Sequence, residues 1–345
     1  MKVFSDMRKW KKVLCVIFLA MFCTIVIADP ATDVLVQNEM SIAAEAQELQ
    51  GIQGAAETST IAQKTKIRKS GKQGEKSAQS LEKIQKDKLP QYKVINGAFQ
   101  TQQDLYAARG QGNDAQASSL SAKLRKEIPQ AKEALKKLEK LTAEEVSIIK
   151  KTTRDANAIK TAEATYSGWK SVVDALKEEP LTDQELQSRR NAIQTASKEA
   201  VEGAHDQAKA LNSKDLADED RKILKNNVVG GAKNVFAGME SIMSNMASVM
   251  QKFVGEMQKG GMPQMDANSI KGLQSAFEEI GKGMQEFMGS YGPFAQTVAS
   301  LVGEEITVPT LSMPDFGAML SGGKGLPGKK GLSLPSLPFG LGKKK

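Results

Sequence analysis

The sequence predicts an all-α protein: an elongated helical bundle of coiled-coil-like hairpins, followed by a disordered C-terminal tail. Three observations carry this. Aromatic residues make up only 5% of the 345 residues, and no two β-branched runs flank a tight turn as a strand hairpin requires. Apolar residues recur instead at three- and four-residue spacing along most of the chain. From Ile306 to Lys345 the chain holds eight Gly, five Pro and six Lys, a composition that cannot bury enough apolar surface to order itself.

Residues 1–28 read as a secretory signal. Lys2, Arg8, Lys9, Lys11 and Lys12 stand against Asp6, and Val13 to Ala28 is uncharged. Sixteen residues of helix reach about 24 Å, short of the ~30 Å hydrocarbon core. Val26 and Ala28 supply small residues for cleavage before Asp29. The expected destination is therefore secreted or periplasmic, with an uncleaved N-terminal membrane anchor as the alternative. Both cysteines, Cys15 and Cys23, lie in this segment, so the remaining chain reaches an oxidising compartment with no disulfide to form.

Residues 29–227 are expected to form the elongated bundle. A first helix over about 33–63 places Leu35, Ile42, Ala46, Leu49 and Ala56 on one stripe. Lys64 to Lys93 then holds ten Lys/Arg against Glu75, Glu82 and Asp87, a basic patch in an otherwise near-neutral body. Gly71 and Gly74 weaken helicity there, and Pro90 predicts a break or kink. Tyr92, Ile95, Phe99 and Tyr106 resume the helical spacing. Thr142-Ala-Glu-Glu145 reads as a capping box, with Ile159, Ala162, Tyr166, Trp169, Val173 and Leu176 forming a seam beyond it. Glu178-Glu179-Pro180 ends that seam. Thr182-Asp-Gln-Glu185 is a second capping box, opening a helix to about Leu211 with a ridge at Ala192, Ala196, Ala200, Ala204 and Ala208. Two boxes around one proline predict an antiparallel helix pair, and the small residues predict close approach.

Residues 228–303 are expected to form a Met/Gly-rich helical hairpin broken at Gly260-Gly261-Met262-Pro263. One stripe is Met239, Met243, Met246, Met250, Phe253 and Met257; the matching stripe is Ile270, Leu273, Phe277, Ile280, Met284 and Phe287. These residues have two readings: flexible side chains filling an irregular core, or an adaptable face for a membrane or partner helix. Residues 304–345 form the cationic tail, where Lys324, Lys329, Lys330, Lys343, Lys344 and Lys345 could contact an anionic surface.

No catalytic apparatus is legible. His205 is the only histidine, which rules out a His-based metal site or a Cys-His pair after cleavage. Ser80-Leu-Glu-Lys83 matches Ser-x-x-Lys without its companion motifs. Gly323 to Lys330 approaches a P-loop but ends on Lys330 where a Ser or Thr should reach Mg²⁺. Asp215, Asp218 and Asp220 lack the glycine and terminal Glu of a calcium loop and suit a first helical turn. No cofactor or metal is expected. The sequence thus reads as an exported, non-enzymatic structural or interaction protein that binds another macromolecule through helix seams and a cationic tail. A membrane-active protein whose 228–303 hairpin inserts into or perturbs a bilayer is the alternative. Protein partners or self-association are favoured, an anionic membrane or cell-wall surface comes next, and nucleic acid is disfavoured by export and by the absence of interleaved aromatics.

Overall fold

The computed structural model describes residues 30–69, 71–258 and 267–312, with side chains placed at 34–69, 71, 74–249, 251 and 272–312. All regular structure among them is helical, as the sequence predicts. In chain order these are α1 (Pro30–Arg68), α2 (Lys72–Gly110), α3 (Asp114–Lys151), α4 (Ala156–Asp174) and α5 (Asp183–Ala210). A 3₁₀ turn, the short α6 (Asp218–Ile223) and a π-helical turn over Leu224–Val229 lead into α7 (Gly230–Gln258), and α8 (Ala267–Leu301) follows. Residues 1–28, read above as a signal, the glycine break at 260–263 and the tail lysines 324–345 lie outside the described residues.

Helix directions alternate. Lys64 meets Glu82 at one end of the α1–α2 pair and Leu35 lies beside Gly110 at the other. Lys160 faces Glu202, and Gly168 faces Ala196, so α4 and α5 are antiparallel as predicted. α5 therefore returns parallel to α1: Ser41 meets Arg190 and Glu48 meets Ser197, both at a separation of 149 residues. α8 runs parallel to α5, through Arg190–Glu279 and His205–Thr297. α7 runs against α1, with Gly238 beside Gln47 and Gly231 beside Gln50. α1 is the hub, touching α2, α4, α5, α7 and α8. One apolar cluster runs from Val36 on α1 to Leu311 beyond α8.

Local chemistry explains several boundaries. Thr182 and Glu185 form the predicted capping box, each side chain meeting the other's backbone N–H. Asp155 caps α4 by accepting from the N–H groups of Asn157 and Ala158. Gly71 and Gly112 occupy turns with φ of 84° and 66°, a region open to glycine at no steric cost.

Four expectations need correction. Thr142 and Glu145 do not start a helix: both are buried inside α3, and the Glu145 carboxylate pairs with Lys88 instead of a backbone N–H. Pro90 does not end α2, which continues through it; Leu81, Ile84, Tyr92 and Ile95 stay buried on both sides, so packing outweighs the one lost hydrogen bond. The helices of 228–303 do not zip mainly to each other. α7 packs chiefly on α1, and α8 on α5 and α1. Finally, the tail's first residues are pinned to the bundle. Gln285 donates to the Leu311 carbonyl at 3.0 Å, and Val308 lies over Gly292.

The alanine ridge works as predicted. Ala196, Ala200, Ala204 and Ala208 are buried, and α4 approaches so closely that a Cβ on Gly203 would lie 2.5 Å from the Thr161 hydroxyl and 2.9 Å from the Asn157 carbonyl. Alanine would favour an isolated helix by about 1 kcal/mol, but here it meets backbone that cannot swing away. Gly203→Ala should therefore destabilise the protein by about 1–3 kcal/mol in chemical denaturation. A stabilised variant would mean that α4 and α5 are not this close.

Candidate functional site: a charged seam inside the bundle

α1 carries no Lys or Arg from Pro30 to Gln63 yet holds Asp33, Glu39, Glu45, Glu48 and Glu57. Because α1 is the hub, most of its polar groups face other helices, and any cation they meet must come from elsewhere. At the α1–α5 contact, Arg189 faces Glu45 at 2.9 Å with both side chains 1% exposed. Its guanidinium also donates to Gln102 at 3.3 Å and sits 5.4 Å over the Phe99 ring. Arg190 donates to Ser41 at 3.1 Å and reaches Glu279 of α8 at 3.4 Å. Ser41 in turn donates to Glu45 at 3.0 Å. Glu48, 2% exposed, accepts one hydrogen bond, from the Ser197 hydroxyl at 3.3 Å, and has no cation within ion-pair distance among the described residues.

Burial dominates the electrostatics. It raises the Glu45 carboxyl, while Arg189 and Arg190 pull it back. It pushes Glu48 up to about 8, with Glu45 adding to the rise. Glu57 is raised to about 7 by burial, against hydrogen bonds from Asn227 and Gln53. Glu39 is raised to about 7 by burial and by Asp104 of α2.

A second set of pairs neutralises the basic stretch. Lys64, 5% exposed, meets Asp220 at 2.7 Å, which Arg68 also contacts at 3.0 Å. Lys66 faces Asp155, Lys69 faces Asp215 and Lys88 faces Glu145. Of the patch read from Lys64–Lys93, Lys64 and Lys88 are buried on acids distant in sequence, Lys66, Arg68 and Lys69 are paired nearer the surface, and Lys76, Lys83 and Lys93 stay exposed with no ion pair among the described residues. Asp220 does sit in the first turn of a helix, as expected, and is buried there by these two cations.

The Met-rich stripe is interior. Met239, Met243, Met246, Leu273, Phe277, Ile280, Met284 and Phe287 are all buried, so in this arrangement they are core rather than an open face for a membrane or partner. Their neighbours explain it: Phe287 lies over Gly51 of α1, and Tyr291 stacks on Phe287 at 4.9 Å. The side chains of Met250, Phe253, Met257 and Ile270 lie outside the described residues, as do Lys324, Lys329, Lys330, Lys343, Lys344 and Lys345. His205 is half-buried against Thr297 at 3.0 Å, and desolvation holds its pKa below the usual value. Ser80 donates to the Lys76 carbonyl of its own helix, so Ser80 and Lys83 form no nucleophile–base pair.

Two shallow grooves, both open to solvent, accompany this interior. One of about 420 Å³ lies between α2 and α3, and one of about 620 Å³ lies between α3 and α4. No group of three or more His, Cys, Asp or Glu suited to a metal occurs among the described residues, and no described helix is long and apolar enough to cross a membrane. Comparison with protein-family models, curated proteins and solved structures gives no match. The fold and seam define a class only: an all-α bundle with a charged interior.

Sequence reading missed Glu45, Glu48, Arg189 and Arg190. A signal was present, since a long helix with acids and no bases has no wide solvating face of its own and needs cations from another helix.

These groups set a pH profile. A carboxyl raised in the fold stabilises it fully below its ordinary value of 4.5, and that contribution is lost as pH rises through about 7 to 8. His205, depressed in the fold, adds stability above its ordinary 6.5 that is lost as pH falls. Glu178, held near 2 by Arg125 and Ser121, loses its contribution only in stronger acid. Stability should thus be greatest near pH 4.5 to 5 and fall continuously above it, by several kcal/mol by pH 9. Urea titrations at pH 5.5, 7.5 and 9 check this; a midpoint that rises with pH would contradict it.

Proposed function

We propose that the protein is exported and non-enzymatic, and that it binds another macromolecule bearing negative charge. The observation that carries this reading is the outer face of α3. Lys126, Lys132, Lys136, Lys137, Lys140 and Lys151 are exposed there and meet no acidic partner among the described residues. Glu133, Glu139 and Glu144 share the exposed surface and leave a net positive excess. The helix seams are occupied by the chain's own helices, so in this reading the basic face and the lysines at 324–345 do the binding. Partners of this class include an anionic membrane or a cell-wall polymer.

A second reading, perturbation of a bilayer by 228–303, is favoured by one feature. Apart from apolar packing, α8 is held on the body by few polar ties, and its ion pair Arg190–Glu279 has a half-exposed acid, so little polar pairing has to break on release. Since no described helix can span a membrane, this reading requires an interfacial position.

Flotation of residues 29–345 on neutral and anionic vesicles, with entrapped dye, tests both. The leading reading expects salt-sensitive flotation on anionic vesicles without leakage. Replacing Lys132, Lys136 and Lys140 together by Gln, at about 1 kcal/mol per lysine, should weaken binding by roughly two orders of magnitude. Leakage that survives the triple substitution would move the balance to the second reading. Unaltered binding without leakage would remove α3 as the contact surface.

A further inference from the structure

Glu48 stands where three helices meet. α1 supplies it, α5 offers Ser197 and Arg190, and α8 brings Glu279 and Glu286. The backbones approach closely around it. A Cβ on Gly51 would lie 2.5 Å from the Phe287 ring, and one on Gly283 would lie 1.9 Å from the Gln194 amide. On the α7 side, Gly238 abuts Gln47, with no ionisable group at that contact. Glu48 itself is only 2% exposed. A carboxylate with one hydroxyl donor and no cation in contact would be left far from satisfied, at a cost of several kcal/mol, so the group that fits this space is the neutral acid.

Ionisation would act on α8 in particular. The nearest guanidinium is Arg190, which holds Ser41 of α1 and Glu279 of α8. A charged Glu48 would draw Arg190 from Glu279, repel Glu286 across the same contact, and repel Glu45 on its own helix. The α1–α5 contact keeps other ties that do not involve Glu48: Arg189 to Glu45, and Gln207 to Ser59 and Gln63. α8 has fewer, chiefly apolar packing and the His205–Thr297 hydrogen bond.

We propose that Glu48 is a proton latch: its protonated carboxyl lets α8 dock on α1 and α5, and loss of that proton loosens α8 from the body. The latch concerns how the bundle opens and is independent of which macromolecule α3 meets. It opens as pH rises, because burial favours the neutral acid and ionisation brings the repulsion.

The test is backbone hydrogen exchange of the intact protein at pH 6 and pH 9, corrected for intrinsic rates. With the carboxyl titrating near 8, opening of α8 at pH 9 should rise about a hundredfold over its value at pH 6, relative to α3. Glu48→Gln, which keeps shape and removes the charge, should remove most of that rise, leaving only the part due to Glu57, which faces Tyr291 of α8. Glu286→Gln, at an exposed position, should move the transition to lower pH because it removes a like charge. Equal changes in α8 and α3, or a Glu48→Gln protein that still loosens to the same extent, would overturn the latch. Should Glu48→Gln not fold, infrared spectra of the unaltered protein decide: Glu39 and Glu57 lose their protonated-carboxyl bands near pH 7, so a further component lost near pH 8 supports the proposal, and its absence overturns it.

Discussion

The fold depends on a helix that is enclosed without being apolar. α1 touches five other helices, yet Ser41, Glu45, Glu48, Thr58, Ser59, Gln63 and Lys64 on it are buried. Each polar group taken from water needs a partner at a particular place, so α1 sets register as well as contact. The shared separation of 149 residues for Ser41–Arg190 and Glu48–Ser197 is that register. A slide by one turn of α5 along α1 would leave Glu45 and Arg189 buried and unpaired, a penalty of about 3–5 kcal/mol. An apolar seam of the same length would tolerate such a slide at far lower cost.

Charge is organised in the same way, over long sequence distances. The run from Lys64 to Lys93 looks like a basic surface when read locally, but Asp155, Asp215, Asp220 and Glu145 come to it from other helices. What stays outward includes Lys76, Lys83 and Lys93 of that run and the face of α3, whose lysines have fewer acids to meet. Pairing with distant acids therefore takes up part of the most conspicuous cluster of charge, and α3 presents a second, less conspicuous one.

Much of the architecture was legible because it rests on local rules. The box at Thr182–Glu185, the seam through Trp169 and Val173, and the alanine ridge each follow from spacing and side-chain size. The same rules misled where tertiary contacts overrode them. Thr142-Ala-Glu-Glu145 has the letters of a cap, but Lys88 claims the Glu145 carboxylate and α3 runs on. Pro90 has the character of a breaker, but burial of Leu81, Ile84, Tyr92 and Ile95 on either side keeps α2 continuous. The methionine stripe fits both a core and a docking face, since periodicity records that a face is apolar and not what covers it. Glu48 was invisible for a related reason: its setting is made by residues 142 and more positions away.

The central claim is that buried charge on α1 fixes how the helices register, and a double-mutant cycle on Glu45 and Arg189 tests it most directly. Glu45→Gln and Arg189→Met are measured separately and together by chemical denaturation. The account predicts that each single change costs about 3–5 kcal/mol, since each strands a buried charge, and that the double change recovers much of the loss, with a coupling of about 2 kcal/mol or more. Strictly additive losses would mean that the two side chains do not depend on each other, and that something other than this pair aligns α1 with α5.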